Sequence, residues 1–441
     1  MPRLDAAPLL SSSSPLQTSL SGNNPRRRQP HTQSQGQSQS QSQSHGHGQQ
    51  PSDRPGIALP NGSLPRLSAD RKKRRKARSL LRRLARFSAK NTWAIPLLLL
   101  ACFGAAYAVH PAESNPVRRF VLLSYRRPNP RAHADPTLPA HYGKGLWDLA
   151  FVAFYTVVLS LSRELMMQEL LVPLGRRNGI GSRAKQQRFA EQMYTAIYFS
   201  LMGPAGVYVM SRSPVWYFNT AGMYEAFPHR SHEACFKFYY LLQAAYWAQQ
   251  GIVMLLGFEK PRKDYRELVA HHVVTLALIG LSYGFHFTHM GIAVYITHDI
   301  SDVFLALSKS LHYINSPLVM PVYIGNILVW CYLRHYINLR ILYSVLTEFR
   351  TVGPYELNWE TQQYKCWISN AITFALLASL QALNLFWLYC LLRSMYKFVV
   401  FRIKKDDRSE SSGDEGAAQG QQAEPLMPAG MEHQQRKGDL L

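Results

Sequence analysis

From residue 93 onward, apolar runs of membrane-crossing length alternate with short polar connections, many of them basic. A helical span needs roughly 17–25 mostly apolar residues. Eight runs meet that requirement, at about 93–109, 146–166, 192–211, 236–257, 268–285, 290–310, 319–346 and 369–397. The first, WAIPLLLLACFGAAYAV, carries no charge. Several later ones are rich in Tyr, Trp and Gln, as expected of helices that pack on one another and line a cavity. The pattern predicts an all-α integral membrane protein with about eight transmembrane helices. The mean hydropathy of −0.17 looks soluble only because it averages these spans with polar tails.

The tails have a different composition. Residues 1–70 are rich in Ser, Gln, Pro and Gly, including QSQGQSQSQSQSHGHGQQ. Such a tract cannot bury enough apolar surface to offset chain entropy, so it is predicted to be disordered. Residues 403–441 form a second disordered tail, acidic and Ser-rich, in which Ser412 precedes Glu415 as an acid-directed kinase would accept. No apolar segment typical of a secretory leader occurs in the first ninety residues. The five cysteines, Cys102, Cys235, Cys331, Cys366 and Cys390, are dispersed without a CxxC pair, which argues against a disulfide framework or a zinc site.

Of the formal charge of +22, residues 1–90 contribute +14, with 17 Lys and Arg against 3 acids. The basic core, RKKRRKARSLLRRLARF, fills most of a segment at 71–90 that ends just before the first span. With no aromatic interleaving and no nucleic-acid module beside it, this run reads as a juxtamembrane anchor that attracts anionic lipid, and no nucleic-acid partner is expected. It also sets orientation. An even number of spans puts both termini on one side, and the basic loops at 173–191 and 258–266 fall on that same side, as the positive-inside rule requires of the cytosol. The loop at 110–145, with Arg118, Arg119, Arg126, Arg127, Arg131 and Lys144, conflicts with this scheme.

Ionisable groups inside hydrocarbon-length segments are costly and usually functional. The densest set lies between Asp264 and Asp302: the pair His271-His272, then His298-Asp299-Ile300-Ser301-Asp302, separated mostly by apolar residues. If consecutive spans run antiparallel, the two clusters fall at similar depth, about one to three turns below the cytosolic face. His298 and Asp302 share a helix face, as do Asp299 and Asp302. His271 and His272 diverge by about 100°, so only one of them points at a given partner. A neutral imidazole can serve as nucleophile or general base, and a carboxylate can orient it. That chemistry suits acyl transfer from a thioester to an amine, with lipid-like reactants. A di-iron site would need histidine boxes of HxxxH and HxxHH type, which are missing from these spans, so no metal is expected. His286, His289 and His312 lie near span ends and read as interhelical hydrogen-bonding groups. Arg334 in the seventh span is placed to pair with Asp299 or Asp302 or to meet a substrate phosphate. Arg163-Glu164 reads as an interfacial pair, and the aromatic runs Phe238-Tyr239-Tyr240 and Tyr246-Trp247 as packing.

The block EKPRKDYRELVAHHVVTLALIGLSYGFHFTHMGIAVYITHDISDVFLALSKSLHY, Glu259 to Tyr313, resembles the Lag motif of ceramide synthases, the acyltransferase branch of the TLC-domain membrane proteins. The segments RFAEQMYTAIYFS, VWYFN and LRHYINLRILYSVLTEFR look like those of fungal-type members, so the likeness covers roughly 146–400. The resemblance implies a core of six helices around a lipid-holding cavity (an acyltransferase domain over 185–400), preceded by flanking helices within 91–172. It implies transfer of a fatty acyl group from acyl-CoA, as co-substrate and without a cofactor, to a sphingoid base in the endoplasmic reticulum membrane. By this likeness His271 takes or activates the acyl group, while His272, Asp299 and Asp302 orient it, with His298 a less fixed member. Asp264 matches the acid before the histidine pair. Lys260, Arg262 and Lys263 are positioned to meet CoA phosphates, with Asp264 and Arg334 completing the substrate-binding set. A small single-span accessory subunit is an expected partner, as is a dimer with a second copy or a paralogue. The rival expectation is a non-enzymatic TLC-family lipid-binding or transport protein.

Overall fold

The computed structural model describes residues 91–401 except Glu113, 129–138 and 258–262. The two expected tails, the basic segment at 71–90, Lys260, Arg262 and Arg131 lie outside the described residues. Among those residues eight long helices occur. They are α1 (Ala94–Val109), α3 (Trp147–Arg177), α4 (Arg183–Ser211), α5 (Ala234–Leu255), α6 (Tyr265–Gly284), α7 (Thr288–Tyr313), α8 (319–351) and α9 (Trp367–Phe401), with a single turn, α2 (Arg118–Val121), after α1. Each of the eight covers one of the apolar runs. Four of them, α3, α6, α7 and α9, are both long and apolar enough to cross a membrane, and α1 is apolar but shorter. The chain is an all-α, multi-pass membrane protein.

The helices alternate in direction. Thr92, just before α1, donates to Glu164 and accepts from Gln168 on the C-terminal half of α3, so α1 starts where α3 is ending. Trp387, late in α9, donates to Asp264 at the start of α6 (3.1 Å). The first and last described helices therefore open and close at the end that carries the histidine pair. The centre of the bundle is α7, packed along α4. Contact is close because Gly203 and Gly206 face it: a Cβ at Gly206 would lie 2.4 Å from the Tyr239 hydroxyl and 3.0 Å from Ile296. Small residues of this kind let membrane helices approach, because lipid supplies no hydrophobic drive between them.

Two helices contain π-helical stretches. In α3 the stretch is Met166–Leu171, immediately before Pro173, whose missing N–H and ring disrupt the regular ladder. In α8 it is Cys331–Ile337, which includes Arg334 and His335.

The end opposite the histidine pair holds a feature the sequence reading lacks. Three two-residue strands, β1 (Arg126–Arg127), β2 (His141–Tyr142) and β3 (His232–Glu233), form an antiparallel sheet in the order β1-β2-β3. Beneath it Lys237 of α5 is fully buried. Its ammonium pairs with Asp148 of α3 (2.7 Å) and donates to the Ser124 and Gly143 carbonyls (3.0 and 2.6 Å). Asp148 also accepts from the Tyr283 hydroxyl of α6 (2.7 Å). One ion pair thus ties three helices to the sheet. The excess positive charge of the 110–145 loop is partly accounted for here. Arg119 stacks on Trp147, and Lys144 is half-buried, donating to His286 Nδ1 (3.3 Å) and the Tyr283 carbonyl (3.2 Å).

Losing one partner of a buried pair strands the other charge, at about 3–5 kcal/mol. Lys237→Met should therefore lower the melting temperature of the detergent-solubilised protein sharply. Adding Asp148→Asn should restore much of the loss, and an unchanged melt for the single variant would show that the pair bears no load.

Acid should weaken the same region. Burial first, and then the Lys144 charge, pushes His286 down to about 3; burial likewise holds His232 well below its ordinary value. Unfolded imidazoles take up protons near pH 6.5. The unfolded state therefore binds more protons below that value, and stability falls as pH drops from about 6.5 toward 3. Melting temperatures across that range should decline, less steeply for His286→Asn.

Candidate active site

An apolar cavity of about 260 Å³ lies between α5, α6, α7 and α9. Its wall follows α6 from His271 to Phe285, about 21 Å of helix at 1.5 Å per residue. At one end stand His271, His298, Thr275 and Trp247. At the other stand Leu357, Trp359 and Tyr364 of the α8–α9 connection. Between them the wall is mainly Leu, Ile, Val, Phe and Met.

His271 and His272 diverge as adjacent helical residues must. His271 faces the cavity, whereas His272 turns its Nδ1–H back to the Leu268 carbonyl (2.9 Å). His271 is buried, and its Nε2 lies 3.5 Å from the Thr275 hydroxyl. Its Nδ1 has no hydrogen-bond partner among the described residues. Aromatic neighbours fix the ring: Trp387 at 5.2 Å and Trp247 at 5.7 Å between centroids, both near-perpendicular. Trp387 is itself held by the Asp264 carboxylate. The acid that opens α6 thus acts on His271 through an indole.

The HDISD cluster divides its work among three neighbouring helices. His298 lines the cavity beside His271; its Nδ1–H donates to the Val294 carbonyl (2.8 Å), and its Nε2 faces the Asn384 amide (3.4 Å). Asp299 is fully buried and turns toward α5, accepting from the Tyr239 hydroxyl (2.8 Å) and the Gln243 amide. Asp302 turns toward α8 and pairs with Arg334 (2.5 Å). The guanidinium also donates to the Ser301 hydroxyl (2.6 Å), the Asn384 side-chain carbonyl (3.3 Å) and the His298 backbone carbonyl (3.3 Å), and it lies 4.1 Å from the centre of the Trp330 ring.

One expectation is corrected by this geometry. Neither aspartate hydrogen-bonds to His271: Asp299 turns one carboxylate oxygen to Tyr239 and Gln243 of α5, its other oxygen having no partner among the described residues, and Asp302 turns to Arg334 of α8. Arg334, expected either to pair with an aspartate or to meet a substrate phosphate, spends its donors inside the bundle, on Asp302, Ser301, Asn384 and the His298 carbonyl. The structure brings His271 and His298 to one cavity and ties His298 to Asp302 through Asn384 and Arg334. Lys263 is exposed beside Asp264 at the same end, while Lys260 and Arg262 fall outside the described residues. Among the described residues no group of three or more His, Cys, Asp or Glu side chains could hold a metal ion, and none of the five cysteines forms a disulfide.

Sequence reasoning read Trp247 as packing and did not single out Asn384 or Trp387. The available signal was polar residues at helical spacing in the last apolar run: Gln381 and Asn384 sit at i and i+3 of LQALNLFWLY. Both make interhelical hydrogen bonds, Gln381 with His335 and Asn338 of α8.

The TLC domain family matches residues 188–393. Among characterised proteins, the sphingosine N-acyltransferase-like protein FUM17 of Gibberella moniliformis is 58% identical over 328 residues, covering 74% of this chain and 84% of that protein. Sphingosine N-acyltransferase lac1 of Schizosaccharomyces pombe is 44% identical over 349 residues, 78% of this chain and 88% of its own. Ceramide synthase LAG1 of Saccharomyces cerevisiae is 47% identical over 330 residues, 74% of this chain and 78% of its own. The chain belongs to the fungal Lag-type ceramide synthase family. It is an acyltransferase.

The Arg334 knot gives a test of the ceramide synthase site. Asp302→Asn should lower turnover by about 10²-fold, the scale of a small misplacement of a catalytic group. Rates of amide formation in membranes carrying the variant measure this, and a near-normal rate would remove Asp302 from the site.

Proposed function

We propose that this chain transfers a fatty acyl group from acyl-CoA to the amine of a sphingoid base, giving a ceramide and free CoA, with His271 as the reacting imidazole. The observation that carries this reading is a buried histidine nitrogen, Nδ1, without a partner among the described residues, at the polar end of a mainly apolar cavity. The acyl chain occupies the apolar length of the cavity. CoA docks at the histidine-pair end, where the exposed Lys263 can pair with its phosphates. That end is cytosolic, both termini lie on the same side, and the membrane is that of the endoplasmic reticulum.

The amine lone pair attacks the thioester carbon and the carbonyl π pair moves to oxygen. The intermediate collapses, the C–S bond breaks, and the amine proton ends on the CoA sulfur. His271 can serve in two ways. It can take the amine proton during attack and return it to the thiolate, or it can attack the thioester first and pass the acyl group on. Mass spectrometry of protein incubated with acyl-CoA alone separates the routes, since only the second leaves an acyl-imidazole. A single-span accessory subunit and a dimer with a second copy or a paralogue rest on the family resemblance, and co-purification from native membranes tests them.

The decisive assay combines purified protein, acyl-CoA and a sphingoid base, with and without chelator. Amide product insensitive to chelator is expected, and its loss in His271→Ala with normal membrane insertion. A lipid-binding protein would yield no product, and an oxidase would need iron. Full activity in His271→Ala would remove that residue from the chemistry.

A further inference from the structure

The tetrahedral intermediate of this reaction places a full negative charge on the former carbonyl oxygen. In a cavity walled by hydrocarbon, that charge needs a hydrogen-bond donor already in place. Few donors stand near His271, and most are already used. The Thr275 hydroxyl is engaged with His271 itself, His298 Nδ1–H donates to the Val294 carbonyl, and the Asn384 amide faces His298 Nε2. The Tyr295 hydroxyl has no partner among the described residues, and Tyr295 also lines the cavity, one turn of α7 before His298, but its ring packs on Tyr240 (5.1 Å) and Tyr239 (6.4 Å) and makes no ring contact with His271.

The exception is Trp247. It lines the cavity from α5, is 8% exposed, and its ring stands 5.7 Å from His271 and 5.9 Å from His272 between centroids. Its indole Nε1–H has no hydrogen-bond partner among the described residues. A buried donor without an acceptor is costly and uncommon in a folded protein. Phenylalanine would fill most of the same space without that cost, so packing alone does not account for an indole here. Its place beside the reacting imidazole, at the same end of the cavity, does.

We propose that Trp247 is a catalytic residue, whose indole N–H donates to the thioester carbonyl oxygen and more strongly to the oxyanion it becomes. This inference rests on the acyl-transfer reading of His271. It holds for either role of that histidine, because amine attack and imidazole attack place the charge on the same oxygen.

Two replacements test it in a microsomal assay free of other ceramide synthases. Trp247→Phe removes the donor and some volume. Replacing Trp247 with 3-benzothienylalanine exchanges N–H for sulfur in a ring of nearly the same shape. Each should lower kcat by about 10²-fold, the effect of losing one oxyanion donor. KM for acyl-CoA and sphingoid base should stay within about threefold, and the melting temperature should not fall for the benzothienyl protein, since no protein hydrogen bond is lost. A benzothienyl protein with kcat within about threefold of the parent overturns the proposal. A fall in kcat matched by a fall in melting temperature in both variants also overturns it, because packing then explains the loss. His271→Ala, run in parallel, keeps the two readings apart. If it is inactive while the benzothienyl protein is fully active, only the Trp247 assignment fails; if it is active, the His271 reading fails on its own.

Discussion

A guanidinium buried in a bundle of membrane helices must have its donors satisfied by protein, since hydrocarbon offers no acceptor. Arg334 meets that requirement with Asp302, Ser301 and the His298 carbonyl on α7 and with Asn384 on α9. Three helices are thereby fixed in depth and rotation at the level of the candidate site. The ring of His298, the position of the cavity wall and the approach of α9 to α6 all depend on that arrangement. Isolated buried ion pairs often add little net stability, because desolvation offsets attraction. What this one supplies is registry between helices that slippery apolar faces alone would not define.

The sequence was most legible where the physics is one-dimensional. Eight apolar runs became eight helices, and the 100° between His271 and His272 separated a cavity-facing ring from one folded back on its own helix. The pairing of Arg334 with Asp302 was one of the options the charges allowed. Direct contact between the aspartates and His271 was expected and is not found. Residues that share a helix face can still be claimed by different neighbours, and only the packing of α5 and α8 against α7 decides which. The small sheet was not readable, because two-residue strands leave no periodic pattern. It is anchored by Lys237 and Asp148, which lie 89 positions apart and look like two unrelated charges near span ends.

Trp387 and Asp264 show another limit. The acid before the histidine pair was recognisable as part of a motif, but its action on His271 runs through an indole 123 residues later. An aromatic residue in an apolar span gives no local sign that it carries such a link.

The π-helical stretch of α8 has an effect beyond Arg334. Before it, Ile327 and Trp330 belong to a small apolar cluster with Trp387 and Leu391 of α9. After it, Ile337, Ile341 and Val345 join the large central core with α4, α5 and α7. One additional residue in a turn advances everything downstream around the axis, so a single continuous rod offers its greasy stripe to one set of partners above the site and to another below. The helix works as a spliced shaft, and the splice sits at the level of the candidate site.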